Sequence, residues 1–554
     1  MPNARLRSLP PLLLALLSTS ALAVAQSNTI PGRDLRLDDT WSLDAVNAFG
    51  NSAHFGTFPN GVSPFGAWTR VCNPGTSPIP FTAAMSPNHA FIHYLIARES
   101  SGRFVQISDW SYVKHTFGSS NDPSVCGSCA GPGNFNFVEV GCSDTYANYQ
   151  ACDHFNLGPP QEVDPWLGAW VPTGSLFDRG DPDVGFPQNQ DTIRSLTQTQ
   201  ANVLNSTMHH QVRVYDADLN VTGATFWWQA GYLIPGEADA LRSDNIASRQ
   251  FFPSWTGSHW ATSDGTNLLS GSILQRWSGA SLSSNSNGND DGRFYVAVKV
   301  TGPTNGTYHY EYAVHNRDNK RGLGALHIPV CPAATVSNFG FHDVDQDPSN
   351  SWSGSLAGSE IVFSTVNNPL RWNSLFNFWF DCDAAPVTGS PLTLTQFDLG
   401  AGALTVAVTS TAPLGLYNQN LGPGCGSPAP TLFGTGSPDH GTIGNASFGL
   451  RSTGNPAGAT CGFVVSFADG STLLGPGCTL YSASTASVGS LLIVAADGSG
   501  AAAMPLAVPN VPALEGIHLD FQMANIHAGG AYLGTFNLSN GLRARIGSAI
   551  STCP

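Results

Sequence analysis

The residues whose types and spacing come nearest to a chemical site lie between His115 and Cys152. Ten residues separate His115 from Cys126, two separate Cys126 from Cys129, and twelve separate Cys129 from Cys142. A C-x2-C turn presents two thiolates to one ion, and a distant Cys and His complete a tetrahedral N/S set. Zinc or copper held by Cys126, Cys129, Cys142 and His115, with His89 as a substitute for His115, is one reading. Cys72 and Cys152 would then pair with each other. The competing reading is staples: two disulfides among the five cysteines of this region and one thiol left over. A C-x2-C redox pair is the third, and it lacks the βαβ pattern that normally frames one.

The eleven cysteines fall into three groups. Cys72, Cys126, Cys129, Cys142 and Cys152 lie first, Cys331 and Cys382 in the middle, and Cys425, Cys461, Cys478 and Cys553 last. An oxidising compartment makes disulfides the default. With no other cysteine between them, Cys331 and Cys382 are expected to bond. Alternating carboxylates in "HDVDQDPSNS" make Asp343, Asp345 and Asp347 candidate calcium ligands. They do not form an EF-hand loop, because Pro348 stands where glycine is needed and Gly354 where glutamate is needed. The alternative is a solvated acidic strand end.

Aromatic platforms stack on sugar rings, and Trp227, Trp228, Trp255, Trp260 and Trp277 lie in one Ser/Gly/Asn-rich stretch. Adjacent Trp227 and Trp228 on a strand point to opposite sides. One is therefore core, and the other is exposed or covered by a loop. Neither G-x-S-x-G nor H-E-x-x-H occurs. Gly127-Ser128-Cys129-Ala130-Gly131 imitates the first without its strand and helix. The catalytic residues of any enzyme are therefore unknown from sequence. A pocket joining His115, Asp144 and an unpaired cysteine would speak for one.

The elements that must position these residues are short strands. Charged residues make up 11% of the chain, against 60 Gly and 38 Pro. That composition suits strands joined by turns and disfavours long helices. "RFYVAVKV" and "TYHYEYAVHN", around a Gly/Pro/Asn turn, read as a hairpin. Phe294, Val296, Val298 and Val300 share one face of it, as do Tyr308, Tyr310, Tyr312 and Val314. The fold class expected is mainly β: tandem β-sandwich-like domains with an irregular Cys-rich N-terminal region. A signal peptide is read over residues 1–25, from Arg5, Arg7, an apolar run and Ala23-Val24-Ala25. The Cys-rich region then covers 26–178, a linker 179–200, and a central sandwich-like domain 201–390. A connector over 391–420 leads to a C-terminal sandwich over 421–554. No later stretch has the length and hydropathy of a membrane helix. The net charge of −15, with dispersed Lys and Arg, gives no phosphate-binding stripe and argues against nucleic acid as a partner.

"LGPGCTLY", "HLDFQMANI" and "SNGLRARIG" resemble a C-terminal β domain common in secreted proteins of Planctomycetes-like bacteria. "HYEYAVHNRDNKRG", "GFHDVD", "NPLRWNSLFNFWFD", "WSYVKHTF" and "GCSDTY" resemble a second module of their exported multi-domain proteins. The resemblance implies a secreted or cell-surface protein and carries over no catalytic residues. The expected function is non-catalytic: binding, adhesion or a matrix role directed at glycan or another surface component. The alternatives are an extracellular, metal-dependent enzyme built on the N-terminal Cys/His region, and a structural assembly subunit.

Overall fold

The structure is a computed structural model. It describes residues 29–547 except 83–84, 180–190, 205–210, 288–291, 305–306, 332–333, 346, 416–417, 438, 468–469, 476, 482–487 and 515–516. The expected signal peptide lies outside the described residues, as does part of the expected linker.

Among the described residues of this mainly β chain, three β-sandwiches follow one another. In the first, one sheet runs Arg36–Asp44, Val62–Cys72, Val212–Tyr215. The facing sheet runs Trp260–Asp264, Ile246–Trp255, Thr225–Leu233, Phe91–Ser100, Val113–His115, Leu157–Gly158. Side chains alternate along Phe91–Ser100. Ile92, Tyr94 and Ile96 enter the core between the sheets, with Phe65, Trp228 and Tyr232. Phe91, Leu95 and Ala97 enter two further clusters on the outer face. Both faces are covered, which is why this strand reads as a continuous apolar run.

The second sandwich pairs two five-stranded sheets. One runs Ser281–Ser286, Arg293–Thr304, Thr307–Asn316, Ser374–Cys382, Val336–His342. The other runs Ser353–Ala357, Glu360–Ser364, Leu323–Pro329, Ala385–Gln396, Thr405–Gly415. The expected hairpin is present, with Val298 opposite Tyr312 and Val300 opposite Tyr310. Its expected faces pack against the second core. The third sandwich, over Asn418–Gly547, has its own core around Leu450, Phe463 and Met523.

Two expected boundaries are corrected. Thr225–Leu233, beyond the linker at 179–200, bonds along its whole length to Phe91–Ser100, so the first sandwich continues past 201 through Trp277. Residues 391–420, expected as a connector, supply half of Ala385–Gln396 and all of Thr405–Gly415, two paired strands of the second sandwich. Polarity misled in both places. A polar run is compatible with a loop inside one domain, and a Thr/Ser/Gly-rich alternation still forms a strand when every second residue is buried.

The first two sandwiches are fused. Tyr295, Ala297, Ala313 and Leu375, on the outer face of the second sandwich, share a cluster with Leu95, Ala97, Phe104, Ile273, Leu274 and Trp277. Polar groups lock the seam. Leu375 N donates to Gln106 Oε1 at 2.7 Å, and Asn377 Nδ2 donates to Phe104 O at 2.9 Å. Asn373 Nδ2 donates to Tyr94 O at 3.0 Å, and its Oδ1 lies 2.7 Å from His93 Nδ1. Arg103 Nη2 reaches Glu311 Oε2 at 2.8 Å. Buried polar groups satisfied only in one docking geometry fix that geometry.

Candidate functional site

The structure dissolves the cysteine metal site. Cys72 bonds to Cys126 and Cys129 to Cys142, with Cα separations of 5.6 and 4.4 Å. Cys126, Cys129 and Cys142 are therefore disulfide sulfurs, and no thiolate is left to bind zinc or copper. The fifth cysteine, Cys152, is free and buried, so it does not pair with Cys72. Its Sγ lies 3.3 Å from Val46 O, and burial pushes its pKa up to about 12. Two bonds and one leftover thiol is the staple reading. The expected Cys331–Cys382 bond is also corrected: Cys382 is a free buried thiol, and Cys331 is disulfide-bonded elsewhere. Cys425 bonds to Cys478.

His115 is a core residue. Its Nδ1 lies 2.9 Å from His89 Nε2, and Phe91, Trp170 and Phe177 surround its ring. A Cβ placed on Gly158 would fall 2.5 Å from His115 Nε2, so that nitrogen is packed against strand backbone. Burial pushes His89 down to about 3 and His115 well below the ordinary imidazole range, so both stay neutral. Asp144 is engaged elsewhere, accepting from Ser120 N and Oγ. Among the described residues, His115, Asp144 and the free Cys152, named for the alternative reading as an enzyme, each have other partners.

The tryptophan platform is corrected too. Trp228, Trp260 and Trp277 are buried. Trp255 is stacked on Phe58 and edged by Trp260 and His54. Trp227 does face away from Trp228, and Arg276 covers it with its guanidinium 4.8 Å from the ring centre. Nor do the three aspartates chelate together. Asp347 Oδ1 caps Ser349 N at 2.9 Å. Asp345 accepts from Asp347 N and Asn350 Nδ2, each at 2.8 Å. Asp343 Oδ2 accepts from Asn368 Nδ2 at 2.6 Å. Among the described residues no group of three His, Cys, Asp or Glu side chains is arranged to hold a metal.

Two of those aspartates nevertheless line the candidate site, a cleft of about 490 Å³ at the seam of the fused sandwiches. Strand alternation builds one wall. In Val212–Tyr215, Val212 and Val214 are buried while Arg213 and Tyr215 face the cleft. Asp109 and Trp110 stand beside them because Asp109 N donates to Arg213 O at 3.1 Å. The opposite wall is the Asp343–Asp345 loop and the turn Asn367–Arg371, with Phe376 behind them. The hydrogen bond from Asn368 to Asp343 joins the loop to the turn, and Trp352 Nε1 holds Asn368 O at 2.7 Å. Trp110 Nε1 donates to Trp372 O at 2.9 Å, which ties the two walls together.

A second cleft of about 500 Å³ shares Trp110 and Arg371 with the first and extends the groove to Asp164, Lys320, Asp398 and the 89% exposed Leu399. Burial pushes the Asp343 carboxyl up to about 6, and the charge of Asp345 adds to the rise while Asn368 opposes it. Burial also raises Asp109, against the pull of Arg213. The groove thus offers carboxylates, an amide, arginines and aromatic rings, held by two rigid sheets. Asp109, Trp110, Arg213, Tyr215, Asn368 and Arg371 were not expected as site residues. "WSYVKHTF", "GFHDVD" and "NPLRWNSLFNFWFD" each contribute to the groove, but no local spacing shows that they meet.

No family model matches the chain, and no curated protein matches it. Among solved structures it is similar to the major pilin subunit of Bacillus cereus, at 10% identity over 61% of this chain and 85% of that one, with a TM-score of 0.18. Escherichia coli alpha-2-macroglobulin activated by porcine elastase matches at 7% identity over 94% of this chain and 41% of that one, with a TM-score of 0.14. Likenesses at such TM-scores carry no argument about function. The chain is a mainly β protein of tandem, disulfide-stapled sandwiches, and no helix among its described residues is long and apolar enough to cross a membrane.

Proposed function

We propose that this is an exported, surface-associated binding protein that holds a glycan in the groove between its first two sandwiches. The observation that carries the proposal is the groove itself. Carboxylates, an amide and guanidinium groups line it together with Trp110 and Tyr215, which is the chemistry that holds hydroxyl-rich rings. Export is supported by the basic-apolar-small N-terminal pattern and by the disulfides, which persist in oxidising compartments. The resemblance to exported proteins of Planctomycetes-like bacteria is part of the same proposal. Glycan-array screening of the whole protein tests it, with Tyr215→Ala and Arg371→Ala as groove variants. Binding that both variants weaken, at unchanged melting temperature, is expected. Retention of no glycan, or binding indifferent to both variants, refutes it.

One observation favours a hydrolytic second reading. Asp343, with its pKa near 6, retains a proton into the range where a general acid works, and glycoside cleavage needs such an acid beside a second carboxylate. New reducing ends from a bound glycan would establish it. The assembly reading rests on Val488–Ala495, which ends its sheet with Ile493 68% exposed. Sedimentation that stays monomeric at high concentration would remove it.

A further inference from the structure

The groove's five carboxylates are unequally neutralised. Asp109 receives Arg213 Nε at 2.5 Å, Asp398 receives Arg371 Nη1 at 2.5 Å, and Asp164 receives Lys320 Nζ at 2.8 Å. Asp343 and Asp345 receive amide and backbone donors, and no lysine, arginine or histidine pairs with either among the described residues. Asp343 is only 8% exposed. The arginines of the same cleft, Arg213 and Arg371, are paired with Asp109 and Asp398, so this buried carboxylate and the one beside it have no ion-pair partner of their own, a costly arrangement that a bound cation relieves. Trp110, Tyr215 and Phe376 line the same cleft, and aromatic faces attract cations. This end of the groove does not suit a metal ion, since among the described residues no three hard ligands converge there. An ammonium needs no fixed coordination sphere and donates to carboxylates directly. The groove runs on past Trp110 and Arg371, so it accommodates a chain of polar units rather than a lone amine.

We infer that the Asp343–Asp345 end of the groove selects a sugar bearing a protonated amine, the free amino group of a hexosamine unit in a polysaccharide. This rests on the glycan reading above and names the ligand class within it.

Calorimetry at neutral pH and physiological salt tests it with three β-1,4-linked hexamers: glucosamine, N-acetylglucosamine and glucose. The whole protein should bind the glucosamine hexamer about tenfold more tightly than the other two, the worth of one good charged contact. Asp343→Asn keeps the shape of the side chain and can still accept from Asn368. It should abolish the preference, bringing the glucosamine hexamer to the affinity that the same variant shows for the acetylated one. Asp497→Asn, a charge change in the third sandwich, should leave the preference intact. Equal affinities for the three hexamers overturn the inference and leave the glycan reading standing. A preference that survives Asp343→Asn with Asp345→Asn overturns it as well, because it then reflects general attraction to an acidic chain. Binding of none of the three, by a protein that also binds nothing on the array, removes both.

Discussion

Replacing Cys72 and Cys126 together by alanine tests how the first sandwich is held. The bond joins residues 54 apart in sequence. The loop it closes contains Phe91–Ser100, Arg103–Gln106 and Val113–His115, which belong to the sheet facing the core. Cross-linking a loop of that length lowers the entropy of the unfolded chain by an amount worth about 4 kcal/mol at 25 °C in the chain-entropy model. The short Cys129–Cys142 loop, 13 residues apart, gives about 3 kcal/mol by the same relation. A cooperative unit of this size shifts its melting temperature by roughly 2–4 °C per kcal/mol. The double variant should therefore melt roughly 8–16 °C below the parent. Alanine avoids placing a hydroxyl at Cys72, which is fully buried. Differential scanning calorimetry without reductant gives the shift, and non-reducing peptide mapping of the parent gives the pairing. A shift under about 2 °C would refute the claim that this staple supports the sheet. A map showing Cys126 joined to Cys129 would refute the pairing, and copurified zinc with free Cys126, Cys129 and Cys142 would restore the metal site.

Three further outcomes are expected. Asp343 has a folded pKa of about 6 against an ordinary 3.8, so the folded state binds the extra proton between those values. The stability this contributes is fully present below about pH 3.8 and is lost as pH rises through about 6. Asp343→Asn should consequently melt above the parent at pH 7, with the gap closing by about pH 4, and a constant gap across that range would contradict the shift. Cys152, Cys382 and Cys461 are buried, and burial raises all three thiols, so alkylation at pH 8 should leave them unmodified until denaturant is added. Labelling of any of them in the native protein would contradict their placement. The second sandwich expressed alone should self-associate or melt below its temperature in the whole chain, because Tyr295, Ala297, Ala313 and Leu375 lose their cover. A monomer that melts at the whole-chain temperature would show the seam to be dispensable.

Local pattern determined a good deal by itself. The alternation in Arg293–Asn316 specified a hairpin and its core face, because side-chain direction along a strand depends only on neighbouring backbone. The opposed Trp227 and Trp228 followed from the same geometry. Cysteine parity and compartment anticipated two staples and one leftover thiol in the first region, since oxidation state is set by environment rather than by fold. What local pattern could not decide was which surfaces meet. Cys331 and Cys382 looked paired because no other cysteine lies between them, but Cys331 is bonded elsewhere and Cys382 is a free buried thiol, since packing decides which sulfurs meet. Trp227 and Trp277 looked available for stacking until Ile273, Leu274 and the outer face of the second sandwich covered them, and Trp228, Trp255 and Trp260 pack into the core of the first sandwich. Ala297 and Ala313 showed no sign of being a domain seam, because a small residue buries well only against a partner that fits it. The groove arises from that docking. Asp109 and Tyr215 come from the first sandwich and Asp343 and Asn368 from the second, more than a hundred residues away. Their chemistry was visible in the sequence, and their meeting was set only when the two sheets packed.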